Sequence, residues 1–252
     1  MVKKLEILGC HPLSMMRWRP SEGWDLWTLN TWYSADRCPP IIPDKVFQIH
    51  KELAPTAGGV ILLDIDRVHA AYGAYGTKMV VVKEMLSAFP LCDAAGCLEI
   101  LDPERLYHLF PYKDRAYFFS STIAYMLAYA FSLGYAHVRI AGAQMAGEYM
   151  YELPGIVDMI RILEVRDNMK IEIEYGDTWS KRYTAELRDK ARKDLTVPYI
   201  DYLAQVENHW LSVPVHDPWK NGTVDAVAKE IVARRVKPSP SGGVSEENGH
   251  CG

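Results

Sequence analysis

The feature that most constrains the fold is a long apolar segment that leads directly into a β-branched one. Residues 117–135 read YFFSSTIAYMLAYAFSLGY, and residues 137–142 read HVRIAG. Ser120 or Ser121 can cap a helix at its start, and Gly134 can supply the left-handed residue that ends it. The short joint between the two segments is typical of the helix-to-strand connection of a parallel sheet. The segment therefore predicts a buried helix followed by a buried strand.

Several other segments have the composition of strands and alternate with helical or turn-rich stretches. They cover residues 5–9, 24–30, 45–50, 59–64 and 78–83. Residues 170–175 alternate charged with apolar side chains, which is typical of a strand at the edge of a sheet. This alternation predicts an α/β fold that is Rossmann-like, with a mostly parallel sheet, flanking helices and a helical C-terminal extension.

Two stretches carry helix signals with defined ends. Asp102 and Pro103 are the cap and first residue of a predicted short helix that ends by Pro111. Residues 148–165 are compatible with a helix but interrupted at Pro154, which predicts a kink or a restart at that position.

Composition shifts along the chain predict its domain organisation. Residues 1–176 form the predicted Rossmann-like domain, residues 177–236 a helical extension, and residues 237–252 a disordered tail rich in Pro, Ser and Gly. Residues 72–76, rich in Gly and Tyr, predict a mobile loop inside the first domain.

Overall composition and charge narrow the classes of function. The chain has 252 residues, 49% of them hydrophobic, which is enough for a full core. A net charge of −4 without a long basic run gives no nucleic-acid signal. The longest apolar stretch, residues 122–133, is shorter than the roughly 20 residues that span a bilayer. The start of the chain has no signal-peptide core, so we expect a cytoplasmic location. Cys92 and Cys97 lack a second pair of metal ligands, so we expect free thiols.

Two predicted strands end at a glycine, and their ends mark a candidate crevice. The glycines are Gly9 and Gly142. Ligands of parallel sheets bind outside the carboxyl ends of the strands, so residues 142–149, including Gln144 and Glu148, are a candidate wall of the site. The Gly9 turn would let backbone N–H groups approach a phosphate, although a glycine is also common in any strand-to-helix turn.

Polar side chains at other predicted element ends are further candidates. Asn30 can bind a base or a ribose as both donor and acceptor, or simply close its strand. His50 is the stronger candidate for a general base, and His11 for a phosphate contact, although either can be a hydrogen-bonded structural residue. Ser120 and Ser121 serve first as helix caps and second as phosphate contacts.

An acidic cluster follows another predicted strand. Asp64 and Asp66 would project to one side at the strand end, with His69 nearby, and could bind a divalent cation. Charged strand ends are more often simply solvated, so the sequence does not predict a metal site here.

The order of these motifs resembles that of known families. The motifs are, in chain order, Gly9-x-x-Pro12, an aromatic strand ending at Asn30, Ser120-Ser121 before a long apolar helix, Gly134-Tyr135, and a strand ending in Gly142-x-x-Met145. Over about residues 5–175 the chain resembles a family of phage-encoded Rossmann-like proteins. More distantly it resembles bacterial sialyltransferases that depend on CMP-sialic acid, and proteins similar to 6-hydroxymethylpterin diphosphokinase.

The resemblance implies roles for particular residues. In the sialyltransferases the first turn and the asparagine after the second strand hold the nucleotide, a role that falls here on Gly9, His11, Pro12, Ser14 and Asn30.

Two positions depart from the relatives' pattern. Leu13 stands before the serine of the first turn, and Gln144 stands where the relatives commonly carry an aspartate. A neutral amide is a weaker partner than a carboxylate for sugar hydroxyls or a metal ion.

Two main hypotheses about function follow. The first is a nucleotide-binding transferase, similar to glycosyltransferases that use a nucleotide-activated donor, with His50 as base and a nucleotide or nucleotide sugar as the bound ligand. The second is a non-enzymatic phage or prophage protein that binds or sequesters a nucleotide-like ligand or contacts a host protein, an idea that Gln144 favours. A structural accessory with a filled crevice is a third possibility, and the oligomeric state is left open.

Overall fold

The protein is a parallel α/β structure, seen here in a computed structural model that describes residues 2–9, 18–29, 41–49, 65–110, 114–143, 152–174 and 184–201. The strands are β1 Lys4–Leu8, β2 Asp25–Leu29, β3 Lys45–Phe47, β4 Lys78–Val82, β5 Leu98–Leu101, β6 His137–Ala141 and β7 Lys170–Glu174. They form a seven-stranded sheet in the order β5-β4-β3-β2-β1-β6-β7. Every neighbouring pair is parallel, which confirms the predicted fold class.

Helices flank this sheet along the described parts of the chain. They are α1 Ile65–Gly73, α2 Pro90–Ala94, α3 Pro103–Tyr107, α4 Arg115–Phe118, α5 Thr122–Ser132, α6 Leu153–Asp167 and α7 Ala185–Asp194. A 3-10 helix, Lys83–Ala88, follows β4 directly. No helix in the described ranges combines the length and the apolar character needed to cross a bilayer.

The long apolar segment and the β-branched segment after it form the centre of the structure, as predicted. Eight of the 11 residues of α5 are buried, and Ser121 caps its start by accepting a hydrogen bond from the Ala124 N–H at 3.4 Å. Gly134 ends the helix with φ at 78°, a left-handed conformation that favours glycine. Strand β6 follows and pairs with β1, so the predicted helix and buried strand are both confirmed.

Three further predictions of local structure are also confirmed. Asp102 caps α3 by accepting from the Arg105 N–H at 3.4 Å, and the helix ends at Tyr107. Helix α6 begins at Leu153 with Pro154 in its first turn, which confirms a helix over the later part of residues 148–165, while residues 148–151 lie outside the described residues. Strand β7 lies at one edge of the sheet, where its alternating charged side chains oppose pairing with another chain.

The region between β3 and β4 contradicts the sequence prediction. Residues 72 and 73 belong to α1, and Tyr72 is fully buried, so the predicted mobile loop is wrong at its start. Asp66 lies in the first turn of the same helix and not at a strand end. Its carboxylate accepts hydrogen bonds from the Leu91 and Cys92 N–H groups, each at 2.9 Å, and so joins α1 to the start of α2.

Some predictions concern residues outside the described part of the chain. The predicted strand 59–64 and the tail 237–252 lie outside the described residues. Residues 184–201, which include helix α7, are the described part of the predicted extension, and the division of the chain at residue 176 stays a prediction.

Candidate functional site at the carboxyl ends of β1 and β6

The order of strands in the sheet singles out one position for a ligand. From β1 the chain proceeds to β2 on one side, while β6, reached only after β5, pairs with β1 on the other side. Open parallel sheets bind ligands where the strand order reverses, outside the carboxyl ends of the two strands. Leu8 and Ala141, the last residues of these two strands, are direct neighbours in the ladder. The crevice beyond them is therefore the candidate site.

Two predicted site residues meet at this position. The Gly9 N–H donates to the Ala141 carbonyl at 2.7 Å. A Cβ atom on Gly9 would lie 2.4 Å from the Gly142 carbonyl oxygen, closer than any real contact. Gly142 itself has φ at 71°, and a Cβ there would lie 3.0 Å from the Gly9 oxygen. The base of the crevice is thus bare backbone, and both positions require glycine.

This packing also limits what Gly9 can do. Its N–H group already bonds within the sheet, so it cannot donate to a phosphate. Any backbone donors of the first turn must come from residues that follow it.

A buried ion pair fixes β1 and β6 against each other below the crevice. Glu6 is only 1% exposed, and its Oε1 atom accepts from Arg139 Nη1 at 2.8 Å. Ser21 donates its hydroxyl to the same carboxylate at 2.8 Å. The Arg139 guanidinium also lies 4.5 Å from the centre of the Trp24 ring. A buried carboxylate with a close cation and further donors is costly to disrupt, so this contact holds the two strand ends in place.

The starts of α5 and α6 lie at the same edge of the sheet, because each helix ends just before the amino end of the next strand, β6 or β7. The Ser120 hydroxyl donates to the Glu152 carbonyl at 3.4 Å, and Ser121 caps α5. A Cβ on Gly155 would lie 1.8 Å from the Tyr117 oxygen, so the first turn of α6 packs directly on backbone. Both serines are buried and already bonded, and their use as phosphate contacts stays a prediction.

Seven of the predicted site residues lie outside the described residues: His11, Pro12, Ser14, Asn30, His50, Gln144 and Glu148. Their roles stay predictions. Leu29 and Ile49, which immediately precede Asn30 and His50, are described at or just beyond the carboxyl ends of β2 and β3.

Asp64 of the acidic cluster lies outside the described residues, and among the described residues no group of three or more His, Cys, Asp or Glu side chains could hold a metal ion. His69 lies on α1 among buried residues, and burial lowers its pKa to about 3, so it is neutral at ordinary pH. Cys92 and Cys97 are buried free thiols.

The sequence analysis missed a group of buried phenols near the start of α5. The hydroxyl groups of Tyr107 and Tyr125 are 2.8 Å apart, and Tyr125 also accepts from the Ile200 N–H at 3.2 Å. Burial raises the pKa of both tyrosines. The group joins three segments that are far apart in sequence, and no local pattern could have revealed it.

Comparisons with known proteins give only distant structural matches. No protein-family model and no curated protein matches the chain. The sialyltransferase CstII from Campylobacter jejuni, solved with cytidine-5'-monophosphate, matches 68% of this chain and 79% of its own, at 14% identity and a TM-score of 0.42. The alpha-2,3-sialyltransferase from the same organism, solved in apo form, matches 79% of this chain and 81% of its own, at 15% identity and a TM-score of 0.45.

Proposed function

We propose that this protein is a nucleotide-binding transferase, similar to glycosyltransferases that use a nucleotide-activated donor. The observation that carries the proposal is the bare backbone contact between Gly9 and Gly142 at the reversal of strand order. A crevice of this kind, with no side chain at its base, lets a ligand approach the strand ends closely. The motif order that resembles the sialyltransferases adds the nucleotide as the ligand class.

The charge at this edge suits a phosphate group. Helices α5 and α6 both begin here, and the start of a helix carries partial positive charge and unpaired N–H groups. We assign nucleotide binding to the turn that Gly9 opens, with the contacts made by the residues after Gly9 up to Ser14, to Asn30 and to the Ser120-Ser121 cap. These groups would stabilise the negative charge that develops on a departing nucleotide phosphate.

The chemistry requires one base. His50 removes the proton from an acceptor hydroxyl, whose oxygen forms a bond to the sugar carbon as the bond from that carbon to the phosphate oxygen breaks. The departing nucleotide keeps the electron pair of the broken bond.

Ligand binding is the first test. The melting temperature of the purified protein is measured against CMP, UDP, CMP-sialic acid and a UDP-sugar, each with and without Mg²⁺. A ligand at about 100 times its dissociation constant adds roughly 2.7 kcal/mol of stability. We expect a selective shift that is lost in Asn30→Ala and kept in the matched variant Asn221→Ala, which alters the predicted extension. No shift with any of these ligands contradicts the proposal.

Turnover is the second test. His50→Ala should lower the rate of donor consumption at least about 100-fold, the contribution of a general base, while the nucleotide still binds. His108→Ala, at an exposed position after α3, is the control and should keep the rate. Selective binding without turnover by the unaltered protein would favour the sequestering function, which Gln144 in place of an aspartate already suggests.

A further inference from the structure

Residues 184–201 are attached to the rest of the protein in a different way from the central helices. Helix α7 has the sequence AELRDKARKD, and Ala191 is its single buried residue. It also makes ion pairs with α6, because Arg188 and Arg192 approach the Asp158 carboxylate to 3.5 and 3.8 Å. The Tyr117 hydroxyl donates to the same carboxylate at 2.7 Å.

A second attachment lies at the other end of this segment. The Tyr199 N–H donates to the Phe119 carbonyl at 2.7 Å, directly before the Ser120-Ser121 cap of α5. Ile200 is buried beside it, and its N–H donates to the Tyr125 hydroxyl at 3.2 Å. The segment therefore contacts the first turn of α5 and the residues that lead into it.

The hydrogen bonds at this attachment form a closed chain. Tyr107 donates its one hydroxyl proton to Asp201 Oδ1 at 3.4 Å, so the proton shared with Tyr125 must come from Tyr125. The chain thus runs from the Ile200 N–H through both phenols to the Asp201 carboxylate, and it begins and ends on the same segment. Removing one link leaves buried polar groups without partners, which costs more than a single exposed bond.

We propose that residues 184–201 form a strap that opens as a unit and, when docked, fixes the start of α5. The strap fully buries only Ala191 and Ile200, with Leu195 and Tyr199 packed partly against the core, and its other attachments are polar. This limited burial gives it an opening free energy well below that of global unfolding. The attachments hold it firmly only when both are complete. Because Phe119 and Tyr125 bracket the Ser120-Ser121 cap, strap opening frees the backbone that the proposed nucleotide site uses.

Hydrogen–deuterium exchange on the full chain tests the strap without any ligand. We expect amides of residues 184–201 to exchange much faster than those in the middle of α5. Tyr125→Phe removes one hydroxyl and should speed exchange in the strap and in the first turn of α5 about tenfold, a typical cost of one buried bond. Tyr129→Phe is the matched control on the same helix, because its hydroxyl bonds to Glu99 and not to the strap. Strap exchange should be unchanged in this control.

Two results would contradict the proposal that residues 184–201 open as a unit. One is that the amides of residues 184–201 exchange at the same rate as those in the middle of α5, which would mean that the strap opens only when the whole protein unfolds. The other is equal acceleration of strap exchange by Tyr125→Phe and Tyr129→Phe.

The coupling between strap opening and nucleotide binding rests on the proposed function and is tested in a separate experiment. A nucleotide that shifts the melting temperature should also slow strap exchange, and Tyr125→Phe should weaken its binding about tenfold. Binding with unchanged strap exchange would overturn the coupling. Failure of every nucleotide to bind would contradict the proposed function, while the ligand-free comparison would still decide whether the strap exists.

Discussion

Helices α5 and α7 show two ways of holding a helix against the same domain. Helix α5 carries no charged residue and buries eight of its 11 residues, whereas α7 is mostly charged and buries only Ala191. Apolar burial is non-directional and spreads over many contacts, so α5 can be removed only by unfolding the core. Ion pairs and hydrogen bonds depend on a few atoms, so α7 can detach locally. The difference separates global from local stability within one chain.

The largest expected difference comes from shortening one leucine on each helix. Leu127 is fully buried in α5, and Leu127→Ala should lower the free energy of unfolding by about 3 kcal/mol through lost burial and a cavity. Leu187 on α7 is only half-buried, and Leu187→Ala should change global stability by less than about 1 kcal/mol. Urea unfolding measures both. Equal losses would mean that the two helices belong to one cooperative unit.

Acid should weaken the domain core through one buried histidine. The pKa of His69 falls to about 3 in the folded protein, against 6.5 for an unperturbed histidine. At a pH above the pKa of His69 in the unfolded chain, His69 does not change the free energy of unfolding. At a pH below it, His69 takes up a proton in the unfolded chain but not in the folded protein. Between about pH 6.5 and pH 5 this costs roughly 2 kcal/mol of stability.

Unfolding in urea at the two pH values measures this loss. His69→Gln should remove most of it, and His108→Gln, at an exposed position, should retain it. A pH dependence that is the same in both variants would show that other groups are responsible.

The helix caps offer the same substitution in both regions. Ser121 caps α5, and Thr184 caps α7 by accepting from the Leu187 N–H at 3.2 Å. Each change to alanine should cost about 1 kcal/mol, the usual value of such a cap. Ser121→Ala should lower the melting temperature, while Thr184→Ala should speed amide exchange within residues 184–201 and leave the melting temperature alone. A lowered melting temperature in both variants would count against separate opening.

The smallest expected effect is on the pH dependence of the strap, and it has the opposite sign to that of the core. Burial raises the pKa of Asp201, which faces Tyr107, Glu104, Arg115 and Glu84. The docked strap therefore binds a proton more readily than the open one, and docking weakens as pH rises through the raised value.

Exchange rates of residues 184–201, corrected for intrinsic pH effects, should thus be lowest in acid. Asp201→Asn should flatten this dependence. A trend in the other direction would show that hydrogen bonds to the ionised carboxylate outweigh its burial.

Local signals in the sequence predicted much of the sheet. The cap at Asp102, the turn at Gly134 and the charged edge strand β7 each depend on residues close together in the chain, and each is confirmed. Strand β5 was missed because its sequence, LEIL, does not alternate in the usual way, since the apolar Ile100 is exposed on this edge strand. Asp66 was misplaced because its partners, the N–H groups at the start of α2, lie about 25 positions away.

The candidate site was likewise predicted in part from the sequence and decided in part by the tertiary structure. The sequence identified Gly9 and Gly142 as strand ends that open onto a crevice, because parallel strands finish at a common edge. The tertiary structure decided that the two glycines touch, since that contact depends on β1 and β6 being neighbours. It alone placed Tyr199 and Ile200 against the start of α5, and Asp201 against Tyr107 of α3. Periodicity and capping are local and can be seen in sequence, whereas the pairing of distant segments follows from how the whole core packs.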